Sequence, residues 1–166
     1  MHTQNLNPLT KILLSCIIIS LYLGIMYLTQ DYSFGRYQVR IATSLYVFSY
    51  FYSFLIYPLA FANALSNVLI GGLGILDMVG GFAVGLLTTY TITFIQKKQY
   101  NYLWTALPIV IIPGFSVAIW LSPLLDIPYF FLVFSVSTGQ IVPATLGILL
   151  IDMANFLNKE EFIFRK

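Results

Sequence analysis

Gln38 and Arg40 stand two residues apart at the start of an apolar run, and the next charged residue along the chain is Asp77. A guanidinium is permanently charged and offers a rigid fork of donors. A glutamine beside it both donates and accepts, which suits the edge of a heterocycle. Asp77 follows Gly71, Gly72 and Gly74 and precedes Gly80-Gly81. Glycines permit turns and close backbone approach. Asn67, one turn before them, offers a carboxamide, and so does Gln140, which lies in the segment Ser135-Val136-Ser137-Thr138-Gly139-Gln140. Each residue also has a plainer use. Arg40 can snorkel to lipid headgroups. Asp77 can cap a helix. Asn67 and Gln140 can bond across helices, since a buried amide in lipid must find partners.

The chemistry that is missing narrows the function. The sequence has no P-loop, no GxSxG, no HExxH and no paired intramembrane carboxylates. A membrane enzyme is therefore the least favoured class, and no cofactor is expected. Cys16 is the single cysteine and His2 the single histidine. An intramolecular disulfide is excluded, as is a His/Cys metal site within one chain. Carboxylates alone remain able to hold a hard cation. A formal charge of +2 is too small to argue for nucleic acid.

These residues must be positioned by membrane helices. Charged residues make up 8% of the chain, against roughly 25% in soluble domains. The mean hydropathy is +0.87. The 166 residues have room for about six spans and none for a separate soluble domain. The fold class expected is an all-α polytopic membrane protein forming one membrane domain. Its helices are expected near 12–29, 39–54, 57–70, 77–95, 104–123 and 129–156. The second and third are short and are separated only around Ser53 and Pro58, so tilted, irregular or incomplete crossings are expected there. Pro108 and Pro113 should kink the fifth, Pro123 and Pro128 should frame its exit loop, and Pro143 should kink the sixth. No internal repeat is present, which disfavours an inverted-repeat transporter. The first apolar run has no small-residue cleavage site after it and reads as a retained helix.

Six crossings put both termini on one side, with Lys11, Lys97, Lys98, Lys159, Arg165 and Lys166. Only Arg36 and Arg40 fall on the other. The positive-inside rule makes the first side cytoplasmic. Asp31, Gln38, Arg40, Asp77 and Asp126 then face outward, where a protein capturing a solute from the medium needs them. In the first helix Cys16, Ser20 and Gly24 form a stripe of small residues. Such a stripe lets another helix approach closely, within the monomer or on a partner.

Several motifs carry a family resemblance. Tyr37-Gln38-Val39-Arg40-Ile41 with Leu45 resembles the RISEAL-type motif of the queuosine-precursor transporter (QueT) family. These proteins are substrate-binding S components of energy-coupling factor (ECF) importers. Asn67, Gly71-Gly72-Leu73-Gly74-Ile75-Leu76-Asp77 and Gly81 resemble that family's asparagine and glycine-rich turn. Asp126-Ile127-Pro128-Tyr129-Phe130 and Val136-Ser137-Thr138-Gly139-Gln140 resemble its last loop and last helix. Ser20-Leu21-Tyr22 is similar to its first helix, where small residues dock on the coupling subunit. The chain departs from the pattern twice: Thr43 and Gln140 stand where the family has acids.

The resemblance implies an S-component-like fold in a prokaryotic plasma membrane. It implies capture of a deazaguanine-like base or related heterocycle from outside, and partnership with a transmembrane coupling subunit and two ATPase subunits. Its binding residues would be Gln38, Arg40, Thr43, Tyr46, Asn67, Asp77 and Gln140. Its docking residues would be Cys16, Ser20 and Gly24. The alternatives are a different vitamin-like solute, or a membrane assembly protein that transports nothing.

Overall fold

The computed structural model describes residues 6–35, 37–71 and 73–164, with side chains as far as Leu157. His2, Arg36, Gly72, Arg165, Lys166 and the side chain of Lys159 lie outside the described residues. Helix α1 spans Pro8–Leu28 and α2 is the short turn Gln30–Ser33. A 3-10 helix, Ile41–Val47, runs directly into α3, Phe48–Phe51. The turn Ser53–Leu55 leads into α4, Ile56–Ser66, which widens into a π turn at Asn67–Gly71. Then come α5 (Ile75–Lys97), the 3-10 turn Tyr102–Thr105, α6 (Ala106–Leu125) and α7 (Tyr129–Phe164). No strand occurs among the described residues. Five stretches are long and apolar enough to cross a bilayer, and Ile41–Phe51 is a shorter apolar helix. The protein is an all-α polytopic membrane protein.

The helix starts and stops follow local chemistry. Pro8 opens α1 where its missing N–H is no loss, and the Asn7 side chain accepts from Leu9 N at 3.3 Å. Helix α6 continues past Pro123 and ends at Asp126, which adopts the left-handed conformation at φ 53°. The expected exit at Pro123 is thus displaced by two residues. Ser122 secures the reversal: its carbonyl accepts from Ile127 N at 3.2 Å and its hydroxyl donates to Ile127 O at 2.7 Å.

The segment expected as a second helix over 39–54 is the unusual one. Seven residues of 3-10 helix and four of α-helix rise about 20 Å, short of a roughly 30 Å hydrocarbon layer. Hydroxyls stabilise this tight path. Thr43 Oγ1 donates to Arg40 O at 2.7 Å, and Ser49 Oγ to Tyr46 O at 2.7 Å and Thr89 O at 3.1 Å. The short element carries one core, with Ala42, Leu45, Tyr46 and Val47 packed among Tyr22, Met26, Leu59, Ile92 and Ile109. The Tyr22 and Tyr46 rings stack at 6.0 Å. A second cluster, including Val84, Val117, Leu121 and Leu132, joins α5, α6 and α7.

Helix α1 has two faces. Ile18, Tyr22 and Met26 are buried. Cys16, Ser20 and Gly24 precede them by two positions each, which is about 200° around the helix, and all three are exposed. A Cβ added at Gly24 meets nothing within 4 Å. Among the described residues the small stripe therefore does not serve packing. Gly85 is the opposite case, because a Cβ there would lie 2.9 Å from Ala60 Cα. Helices α4 and α5 touch through that glycine. Gly85→Val is expected to destabilise the protein by roughly 1–3 kcal/mol through overpacking, and Gly24→Val to change stability by less than about 0.5 kcal/mol. Thermal unfolding in detergent checks the pair, and equal melting temperatures would contradict this packing.

Candidate functional site

The short element starts deep in the bundle, and this places Arg40. Its side chain is 6% exposed, so it does not snorkel. Arg40 Nη1 donates to Asn67 Oδ1 at 2.8 Å and to Asn63 Oδ1 at 3.1 Å. The two asparagines lie four apart and so share a face. Their amide nitrogens turn to α5: Asn67 Nδ2 donates to Asp77 O at 2.8 Å and Asn63 Nδ2 to Gly81 O at 2.7 Å. Gly81 makes that approach feasible, since a Cβ there would collide with the Asn67 amide. Tyr22 adds a hydroxyl, 3.2 Å from Asn63 Oδ1. The Phe34 ring lies over the guanidinium, with its centroid 4.9 Å from Arg40 Cζ.

A second strand of polar contacts ties α7 to the loop before Arg40. Gln140 Oε1 accepts from Thr43 Oγ1 at 2.9 Å, and Gln140 Nε2 donates to Gln38 O at 2.9 Å. Gln38 itself takes a left-handed backbone, φ 45°. Gly139 lets α7 come this close, because a side chain there would overlap the Tyr37 carbonyl. The glycine before Gln140 and the amide of Gln140 thus belong to one contact.

Asp77 is 1% exposed and sits in the first turn of α5. It is not the cap; Gly74, at φ 89°, occupies that position. The Asp77 side chain accepts instead from Trp120 Nε1 at 3.1 Å. Gln38 Oε1, Arg40 Nε, the Tyr46 hydroxyl and Asp77 Oδ2 find no hydrogen-bond partner among the described residues.

Gln38, Arg40, Thr43, Tyr46, Asn67 and Gln140 thus line one cavity, and Asp77 stands behind Asn67 and Trp120 in its wall. The sequence reading missed Asn63 and Trp120, which line it too, and Tyr22, which bonds Asn63. The four-residue step from Asn63 to Asn67 was the available signal for one of them. Tyr46 reaches the cavity but spends its ring on Tyr22. The cavity is about 10 Å³, roughly one water molecule. Beside it is a chamber of about 640 Å³ lined by Phe34, Gly71, Leu125, Ile127, Phe131 and others. Gln38 borders both spaces. Cys16, Ser20 and Gly24 lie away from this cluster, on the outer face of α1. Among the described residues no three His, Cys, Asp or Glu side chains gather as for a metal ion. Asp152, at the far end of α7, accepts from the Tyr102 hydroxyl at 2.7 Å.

A bundle of apolar helices enclosing a polar cluster beside a ligand-sized chamber defines a membrane protein built to handle a small solute. The family model of the QueT transporter matches residues 12–155, and the chain belongs to that family. The match spans every residue of the cluster from Tyr22 to Gln140. No curated protein and no solved structure matches the chain.

Gln140 has a structural duty that can be measured apart from any ligand. Gln140→Leu leaves the Gln38 carbonyl and Thr43 hydroxyl without their partners. The expected loss is roughly 1–3 kcal/mol of stability, read as a lower melting temperature in detergent. An unchanged melting temperature would show that the bonds contribute nothing.

Proposed function

We propose that the protein is the substrate-binding S component of an ECF importer, capturing a deazaguanine-like base or related heterocycle from outside the cell. The observation that carries this is the burial of Arg40 against Asn63 and Asn67, with unpaired polar atoms around it. An ionisable group at the centre of a membrane helix costs about 2.5–3.5 kcal/mol even on lenient scales. Retaining one at the meeting point of the short span, α4 and α5 is explained by a ligand it serves. An assembly protein would have no use for such a centre.

The chamber is of ligand size and the polar cavity is not. On this reading the solute enters the chamber and displaces Phe34 and Gln38 to reach Arg40. The chamber lies at the end formed by the loops before Gln38, after Gly71 and after Leu125. The charge asymmetry of the sequence supports that end being outside and both termini cytoplasmic. Binding is measurable on the isolated chain, because a ligand of the native state raises its melting temperature. A deazaguanine-type base is expected to do so. Arg40→Ala and Gln38→Ala are each expected to weaken it about tenfold or more. Unaltered affinity in both variants would remove these residues from the site.

The chain contains no ATPase motif, so uptake against a gradient requires partners. The exposed stripe of Cys16, Ser20 and Gly24 supports docking on a transmembrane coupling subunit, with two ATPase subunits beyond it. Ser20→Leu and Gly24→Leu are expected to reduce co-purification with that module while base binding persists. Normal co-purification of both variants would move the docking face elsewhere.

A further inference from the structure

Among the described residues that line the polar cavity or the chamber beside it, Arg40 alone is charged. No carboxylate is among them. Asp77, the one buried acid of the described residues, is held behind Asn67 and Trp120. Asp31 and Asp126 are exposed, and neither lines the chamber. Resting on the substrate reading above, we propose that the site selects by charge. It takes a base whose substituent is uncharged and rejects one that carries a cationic arm.

The atoms left for a solute agree with this. Three residues that line the cavity carry a buried atom without a partner: Arg40 Nε, Gln38 Oε1 and the Tyr46 hydroxyl. The first only donates, and from a permanently charged group. The other two are uncharged oxygens. They can serve an N–H or O–H of a base, but they cannot balance an ammonium. The remaining polar side chains are already engaged. Thr43 and Gln140 bond each other and the Gln38 carbonyl. Asn63 and Asn67 turn their oxygens to Arg40 and their nitrogens to α5.

A cationic arm in the cavity would lose its water, find no counterion in the lining and stand in the field of the guanidinium. The chamber offers no refuge, since its lining side chains other than Gln38 are apolar. An uncharged arm of the same size bears none of these costs. Discrimination of this kind comes from an unpaired charge in the wrong ligand rather than from an added contact to the right one.

The test is calorimetry on the full chain in detergent at neutral pH, with 7-deazaguanine, its 7-hydroxymethyl derivative and its 7-aminomethyl derivative. The last two are close in size and differ in charge, because an aliphatic amine is protonated at that pH. The native protein is expected to bind the hydroxymethyl base about tenfold or more tighter than the aminomethyl base. Gln140→Glu and Thr43→Asp each put a carboxylate on the cavity wall. Each is expected to move that ratio about tenfold toward the aminomethyl base. An aminomethyl base bound by the native protein as tightly as the hydroxymethyl base would overturn the proposal. So would a ratio unmoved in either variant that keeps a cooperative melting transition. If neither variant folds, the native ratio still decides. In each of these failures, binding of 7-deazaguanine itself leaves the importer reading standing. A native protein that binds none of the three would remove the substrate class, and the charge selection with it.

Discussion

A permanently charged guanidinium inside an apolar bundle must be satisfied by its neighbours, and much of this structure is arranged to do so. Arg40 cannot shed its charge. It is reached by two carboxamide oxygens from one face of α4 and covered by the ring of Phe34. The asparagines can serve it only because their nitrogens find carbonyls on α5. That in turn requires the missing side chain at Gly81. The short 3-10 element follows from the same demand. A full-length α-helix beginning at Arg40 would start at the rim of the bilayer; one of about 20 Å can start inside. Fold and polar centre are thus one solution rather than a scaffold with a site added to it.

Helix α1 shows a second constraint. Its three deeply buried side chains hold it to α4 and to the short element. The opposite face carries exposed small residues, and at Gly24 an added Cβ would meet nothing within 4 Å among the described residues. Gly85 marks the contrast, since its smallness is consumed by Ala60. Gly24 and Gly85 thus differ in kind: the one leaves open space beside it, and the other is filled by a neighbouring helix.

Much of this was legible in the residues. The apolar runs located the long spans, because a bilayer demands length and continuity that few other settings do. The charge gap between Arg40 and Asp77 marked the polar centre, and six of the seven residues singled out there line one cavity. What stayed hidden was pairing. Nothing in the type of Gln140 says that its oxygen goes to Thr43 and its nitrogen to the backbone of Gln38. Trp120 was overlooked because a lone indole in an apolar helix gives no period or spacing to read, whereas Asn63 had a signal in its four-residue step to Asn67. The choice for Arg40 between headgroups and interior depended on how far the second span reaches. That length is set by hydroxyl-to-carbonyl bonds at Thr43 and Ser49, which no hydropathy pattern records.

A solute occupying the polar cavity around Arg40 would be reported directly by Trp120 in its wall. The chain has two tryptophans, so Trp104→Phe leaves Trp120 as the sole indole. Titrating that protein with a deazaguanine-type base should give a saturable change in Trp120 fluorescence. The same titration should be flat when Arg40→Met is added. A base that binds by calorimetry while Trp120 fluorescence stays constant would place the solute elsewhere and contradict the account.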